Sequence, residues 1–262
     1  MRSKTIITHS GVFHMDELTA CALLYVFTQD TYRIHRIAHQ SPIPANADFV
    51  IDIGRQYDPS RGLFDHHQWE HGKSSAGLIW EYLGASERYP RISSIIELID
   101  QHDVGIRKAT AFELPSFISA LNTDDIYHDA AQMNAFNTAL NVLIQYFTSM
   151  KNYQDKVDNA PNIINNSPII DNVLILPEYI AGWQTYVNGT TELSHVRAVM
   201  WPKGDDTPQW YAQVPTITPS SYEMYHPRFE QDPTMVFVHA NGFLCVAPNK
   251  QTMETYLGIN HA

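Results

Sequence analysis

The sequence predicts an α/β protein in two parts: an N-terminal domain over residues 1–160 built on a parallel sheet, and a smaller α+β domain over 161–262. Three observations lead there. Short apolar runs alternate with helix-period segments through the first hundred residues, as βα units on a parallel sheet require. Residues 159–168 are rich in Asn and Pro and suit a joint. Beyond them, strand-like runs dominate, with one helical segment closing the chain. A length of 262 residues suits one large unit or two small ones, at ~100–200 residues each.

Taken in order, residues 4–8 (KTIIT) read as a short buried strand. Residues 16–29 read as a helix, because Leu18, Cys21, Ala22, Tyr25 and Val26 recur on one face, and Asp16 and Glu17 occupy the first turn where negative charge is favoured. Residues 48–53 (DFVIDI) form a second strand, stopped by Gly54. Leu63-Phe64 is an apolar pair before another cluster of polar residues. Residues 75–83 read as a helix ended by Gly84, and 92–103 as another. Residues 126–150 carry a long apolar stripe through Met133, Phe136, Leu140, Leu143, Ile144 and Phe147, the pattern of a core-packing helix. In the second part, 172–176, 196–200, 210–214, 235–239 and 243–246 read as strands, and 251–256 as a helix.

Composition excludes several classes. With 44% hydrophobic residues, 12 Gly and 15 Pro, the chain is neither disordered nor collagenous. Cys21 and Cys245 cannot build a disulfide framework. The longest apolar run, 20–27, is far short of the ~20 residues of a membrane span. The N-terminus is basic but lacks an apolar core, so no signal or transit peptide is expected and the expected home is the cytoplasm. A net charge of −11 argues against a broad basic face for nucleic acid, although acids that hold cations also count as negative.

Acids and histidines cluster at four places: His9 to Glu17, Asp52, Asp65-His66-His67, and Asp100 with His102 and Asp103. The first three follow strand-like runs, and open α/β sheets form their sites beyond the carboxyl ends of strands. Imidazole mixed with carboxylate suits first-row divalent ions. Six or so ligands exceed the needs of one catalytic ion and suit two ions ~3.5–4 Å apart, an arrangement that fits phosphoester chemistry. His35, His39, His71, His128, His195, His226 and His261 are read as ordinary core or surface histidines.

The ordered set Thr8-His9-Ser10-Gly11, Phe13-His14, Asp16-Glu17, then Asp52-Ile53-Gly54 with Tyr57-Asp58-Pro59, then Asp65-His66-His67-Gln68, then Ser74 to Ile79, resembles the melanocyte-proliferating-gene family, a branch of the DHH phosphoesterase superfamily. Trp210 to Pro215 and Phe237 to Phe243 are similar to the family's C-terminal signature. The resemblance implies a DHH-type N-terminal catalytic domain, a smaller substrate-binding C-terminal domain, and a metal-dependent phosphodiesterase, specifically a 3′-to-5′ exonuclease on RNA that releases 5′-nucleotides through a metal-bridging hydroxide. It implies two divalent ions, manganese first, with zinc, cobalt, iron or magnesium as alternatives. His9 and His14 would hold the first ion and Asp16 the second. Asp52 would bridge, His66 would bind the second ion, and Asp103, favoured over Asp100, would complete its site. His67 would face the substrate phosphate, and Asp65 would orient a histidine. The partner implied is single-stranded RNA or a short oligonucleotide, with no membrane.

Further substrate contacts are open. Arg55 stands where the family has a small residue, and is a candidate phosphate contact or a surface base. His239, Asn241 and Gly242 form a turn that offers backbone N–H groups to a phosphate or is an ordinary hairpin turn. Residues 219–233 depart from the family's pattern. Trp69, directly after the DHH motif, is the favoured aromatic for stacking on a base. Two other functions compete: hydrolysis of small dinucleotides or pyrophosphate, separated from RNA cleavage by weak salt dependence, and a non-catalytic metal-binding interaction protein, which turnover of any diester excludes.

Overall fold

A computed structural model describes residues 3–70, 72–126, 128–204, 206–216, 224 and 226–260. His71, His261 and, of the divergent 219–233 segment, residues 219–223 and 225 lie outside the described residues. The chain forms two compact units, Met1–Asn152 and Tyr153–Ala262.

The first unit is α/β. Its strands are β1 (Lys4–His9), β2 (Tyr32–Ile37), β3 (Phe49–Ile51), β4 (Tyr57–Asp58) and β5 (Leu63–Phe64), and its helices α1 (Met15–Phe27), α2 (Ser75–Leu83), α3 (Pro90–Asp103) and α4 (Leu114–Ser119). Helix α5 (Asp129–Asn165) runs through the boundary between the units. The strands order as β2-β1-β3-β5-β4, with β4 alone antiparallel, at the edge. Period-two alternation divides the side chains between the faces of the sheet. Ile6, Phe49, Ile51 and Phe64 pack into the main core with α1, α2 and α3, whereas Ile7 and Val50 form a smaller cluster with Ile53. Every residue of α1 from Met15 to Leu24 is buried, so this is the central helix and reads as apolar nearly all round.

Because β1, β3 and β5 are adjacent and parallel, their carboxyl ends meet at one edge of the sheet. His9 ends β1, Asp52 follows β3, and Asp65-His66-His67 follow β5. Topology alone therefore gathers three groups that are far apart in sequence.

The second unit carries β6 (Ile169–Ile170), β7 (Val173–Ile175), β8 (Ala198–Pro202), β9 (Trp210–Gln213), β10 (Phe237–Val238) and β11 (Leu244–Ala247), ordered β10-β11-β9-β8-β7-β6 and antiparallel except for β7 against β8. Alternation again splits the core. Val173, Ala198, Met200 and Cys245 pack with Met253 and Leu257 of α7 (Lys250–Leu257), while Leu174, Val199 and Trp201 pack with Trp183 and Val187 of α6 (Trp183–Gly189).

One expectation is corrected. Residues 159–165 are helical, not a loop, and Pro161 lies inside α5. An interior proline removes a backbone hydrogen bond and costs about 3 kcal/mol. Ala160 and Ile164 flank it, fully buried against Leu174, Leu176 and Trp183, and that burial holds the last turns in place. No helix among the described residues is long and apolar enough to cross a membrane.

Candidate metal centre

The site begins at the end of β1. His9 is buried, and its Nδ1–H donates to the Ser10 carbonyl at 3.2 Å. That contact turns Nε2 inward, 3.2 Å from Glu17 Oε1 and 3.2 Å from Asp52 Oδ2. His14 precedes α1, and its backbone N–H donates to the Glu17 carboxylate at 2.9 and 3.0 Å. The loop between is clamped from outside. Arg36 on β2 donates to the carbonyls of His9 and Gly11, Gln132 on α5 donates to Gly11, and Asn122 exchanges hydrogen bonds with both backbone groups of Phe13. His9, His14, Glu17 and Asp52 thus bring four ligand atoms within 4.8 Å of one another.

Asp52 divides its carboxylate. Oδ2 faces His9, while Oδ1 lies 3.3 Å from His66 Nε2, 3.5 Å from His67 Nδ1, and accepts from Ser75 Oγ at 3.2 Å. Its backbone is left-handed, φ 58°, a conformation that non-glycine residues adopt rarely and that Asp and Asn tolerate best.

The second group forms around His66. Its Nε2 lies 3.0 Å from Asp103 Oδ2 and 3.9 Å from Asp16 Oδ2, and these three residues form another potential cation cluster. Asp103 comes from the last turn of α3. Asp100 is engaged elsewhere: its Oδ1 accepts the Ser74 N–H at 2.9 Å and the Ser74 hydroxyl at 2.6 Å, capping α2 from a neighbouring helix. Burial pushes the Asp100 carboxyl up to about 6 against those bonds.

Electrostatics identify what is missing from a purely protein account. Asp16 is 1% exposed, and neither carboxylate oxygen has a hydrogen-bond partner among the described residues. Burial, then the charges of Asp52, Asp103 and Glu17, pushes its carboxyl well above the ordinary range. A buried carboxylate without donors is strongly unfavourable unless a cation compensates it. Around it, burial opposes charge on His9 and His66, but Asp52 and Glu17 for the first, and Asp103 and Asp52 for the second, raise both to about 10. Burial likewise opposes the Asp52 charge, yet His66 and His9 hold its carboxyl far below the usual range. Imidazoles and carboxylates crowded together around an unpartnered Asp16 form a donor set that fits divalent ions of the first row.

Asp65 stands behind the site. Its Oδ2 accepts the Arg55 N–H at 2.6 Å, and its Oδ1 meets His67 Nδ1 at 2.8 Å. Burial opposes its charge, but the His67 ring and the His67 and Arg55 amides keep the carboxyl low. Arg55, at φ 53°, contributes that backbone N–H while its side chain is exposed. His239, Asn241 and Gly242 belong to the second unit, in the turn between β10 and β11. There the Asn241 N–H donates to His239 Nδ1 at 3.0 Å and the Gly242 N–H to the His239 carbonyl at 2.7 Å, so both amides are used within the turn.

Two residues at the centre are not assigned as ligands from the sequence, although Glu17 falls within its first acid and histidine cluster. Glu17 reads as a first-turn acid, yet it is fully buried beside His9; its position three residues after His14, where a carboxylate reaches back to the N-cap amide, was the available signal. His39 reads as ordinary, yet its ring stacks on His9 with centroids 4.9 Å apart. No local pattern marks it.

Residues 5–87 match the family described as "Uncharacterised protein family (UPF0160)", MYG1_exonuc, a stretch that holds every residue of the centre except Asp103. The rat protein named MYG1 exonuclease is 27% identical over 310 residues, covering 93% of this chain and 81% of the rat protein. The human MYG1 exonuclease is 30% identical over 189 residues, 56% of this chain and half of the human one. A Chlamydia muridarum MYG1 protein is 35% identical over 111 residues, 39% of this chain and 38% of that one. With the rat alignment running through both units, the chain is similar to MYG1 proteins over most of its length, and most strongly over the N-terminal stretch that holds the centre.

Proposed function

We propose that this protein is a divalent-metal-dependent phosphodiesterase that works as a 3′-to-5′ exonuclease on RNA and releases 5′-nucleotides. The observation that carries the metal requirement is Asp16, a carboxylate removed from water with no protein donor. The relatives named MYG1 exonuclease support nucleic acid as the substrate. His9, His14, Glu17 and Asp52 would hold one ion, and Asp16, Asp52, His66 and Asp103 the other. Bound divalent ions supply activation of a water and neutralisation of phosphate charge.

The chain's own residues do the rest. Asp52 presents one oxygen to each ligand group and would be the residue shared by both ions. Asp65 holds His67 by Nδ1, which leaves Nε2 as the donor for a non-bridging phosphate oxygen. Ser75 fixes the Asp52 rotamer. Manganese is the first ion to test, followed by zinc, cobalt, iron and magnesium. Free, buried Cys21 and Cys245 suit a reducing compartment, the cytoplasm.

The test is hydrolysis of 5′- and 3′-labelled RNA and DNA with each ion, alongside Asp52→Asn, which keeps the shape of the turn. Metal-dependent release of 5′-nucleotides from the 3′ end of RNA is expected, with at least a hundredfold loss, order of magnitude, in the variant. A protein that binds the ions and cleaves no phosphodiester would overturn the proposal.

A further inference from the structure

Beside the centre, within the first unit, lies a cavity of about 620 Å³, the size range of small-molecule sites. Asp16, Asp52, His66 and His67 line one part of it, and Trp69 another. Trp69 is 46% exposed, whereas Trp80, the other tryptophan of this unit, is 5% exposed and buried in the core. Leaving a large indole in water forgoes burial that folding would otherwise use. Tyr57 meets the ring edge-on with centroids 5.6 Å apart, and the Trp69 backbone N–H donates to the His66 carbonyl at 3.0 Å, which fixes the main chain that carries it. A fixed aromatic face thus sits on the same loop as the two histidines, three residues from the first.

The cavity is also notable for its charge. Among the described residues that line it there is no lysine and no arginine, while acids and histidines are abundant. A site that grips a long phosphate chain needs several fixed cations, and each adds to the salt dependence of binding.

We infer that this cavity recognises the terminal nucleoside by stacking its base on Trp69, and is built for chain ends and short oligonucleotides rather than for a gripped polyanion. The inference rests on the phosphodiesterase reading. Stacking on an aromatic face is tolerant of sequence and nearly independent of salt, so it supplies affinity beyond the metal ligands where no lysine or arginine lines the cavity. It also sets the distance from the terminal base to the scissile phosphate, since Trp69 and His66 share one turn.

The experiment compares wild type, Trp69→Ala and Trp69→Phe, all with manganese, on a ribodinucleotide, the same compound with an abasic terminal residue, and a 20-mer. Wild type should prefer the base-bearing dinucleotide over the abasic one. Trp69→Ala should lose about 10–100-fold in kcat/KM on the base-bearing compound, mainly through KM, and far less on the abasic one. Trp69→Phe should restore most of the loss. Raising salt from 50 to 200 mM should change kcat/KM on the dinucleotide by less than about threefold. Equal losses on both compounds, or none, would overturn the stacking role, and a steep salt dependence would overturn the short-substrate preference. If wild type cleaves none of the three, the phosphodiesterase reading itself fails; if it cleaves the base-bearing and abasic compounds equally, that reading stands and the stacking role falls.

Discussion

Asp65 holds His67 twice, through the ring Nδ1 at 2.8 Å and through the backbone N–H at 3.0 Å, both to the same carboxylate oxygen. The ring's orientation is therefore fixed before any substrate arrives, and the contact raises the His67 pKa despite partial burial. This is the arrangement by which a carboxylate behind a site sets the tautomer of an imidazole within it.

Replacing that carboxylate tests the arrangement. Asp65→Asn must point its amide NH₂ at either the Arg55 or the His67 donor, so one partly buried N–H loses its acceptor. The variant should lose about 1–3 kcal/mol of stability by urea titration and about 10–100-fold in metal-dependent diester hydrolysis. Wild-type turnover in a folded Asp65→Asn protein would remove His67 orientation from the mechanism.

Metal addition should stabilise the fold, because the buried Asp16 carboxylate gains its missing partner. At a hundred times the dissociation constant the gain is about 2.7 kcal/mol, reversed by a chelator. Thermal melts with and without manganese measure it. Asp16→Asn should keep its metal-free melting temperature and show a much smaller metal-induced rise; an undiminished rise would take Asp16 out of the ligand set.

Metal capture should also release protons. In the metal-free fold His9 and His66 titrate at about 10, so both carry a proton at pH 7 and must lose it to coordinate. The sign follows: apparent affinity increases with pH up to about 10, and the metal-free fold loses the stabilisation from these two protons as pH rises from 6.5 to about 10. Calorimetry in buffers of different ionisation enthalpy should report net proton release, and a buffer-independent enthalpy would contradict it.

Gly77 lies where α2 receives the Asp100 carboxylate. A Cβ there would stand 2.8 Å from Asp100 Cγ, so Gly77→Ala must push the cap away from Ser74. A loss of about 1–3 kcal/mol is expected in chemical denaturation. An unchanged midpoint would show that the cap is dispensable.

Much of this is readable in the residues themselves. Helix α2 occupies Ser75–Leu83 as its apolar period and Gly84 indicate, with Gly84 left-handed at φ 62°. Strand β2 is less obvious: Tyr32 and Ile34 alternate with exposed Arg33 and His35, a period-two pattern in a segment rich in charge. The end of α5 is not local information, since Asn and Pro there favour a turn and only packing of Ala160 and Ile164 overrides them. The clustering of chemistry at the ends of β1, β3 and β5 could be anticipated from motif spacing. The stacking of His39 on His9 could not, because it depends on which strands become neighbours.

The left-handed backbone at Asp52 has a consequence for how this position can drift. Side chains branched at Cβ are shut out by sterics alone, and of the short residues that enter the conformation readily, only one carries a formal charge at neutral pH. Homologues that have abandoned the chemistry should therefore show asparagine or glycine here, a one-residue diagnostic for separating retired members of the lineage from working ones.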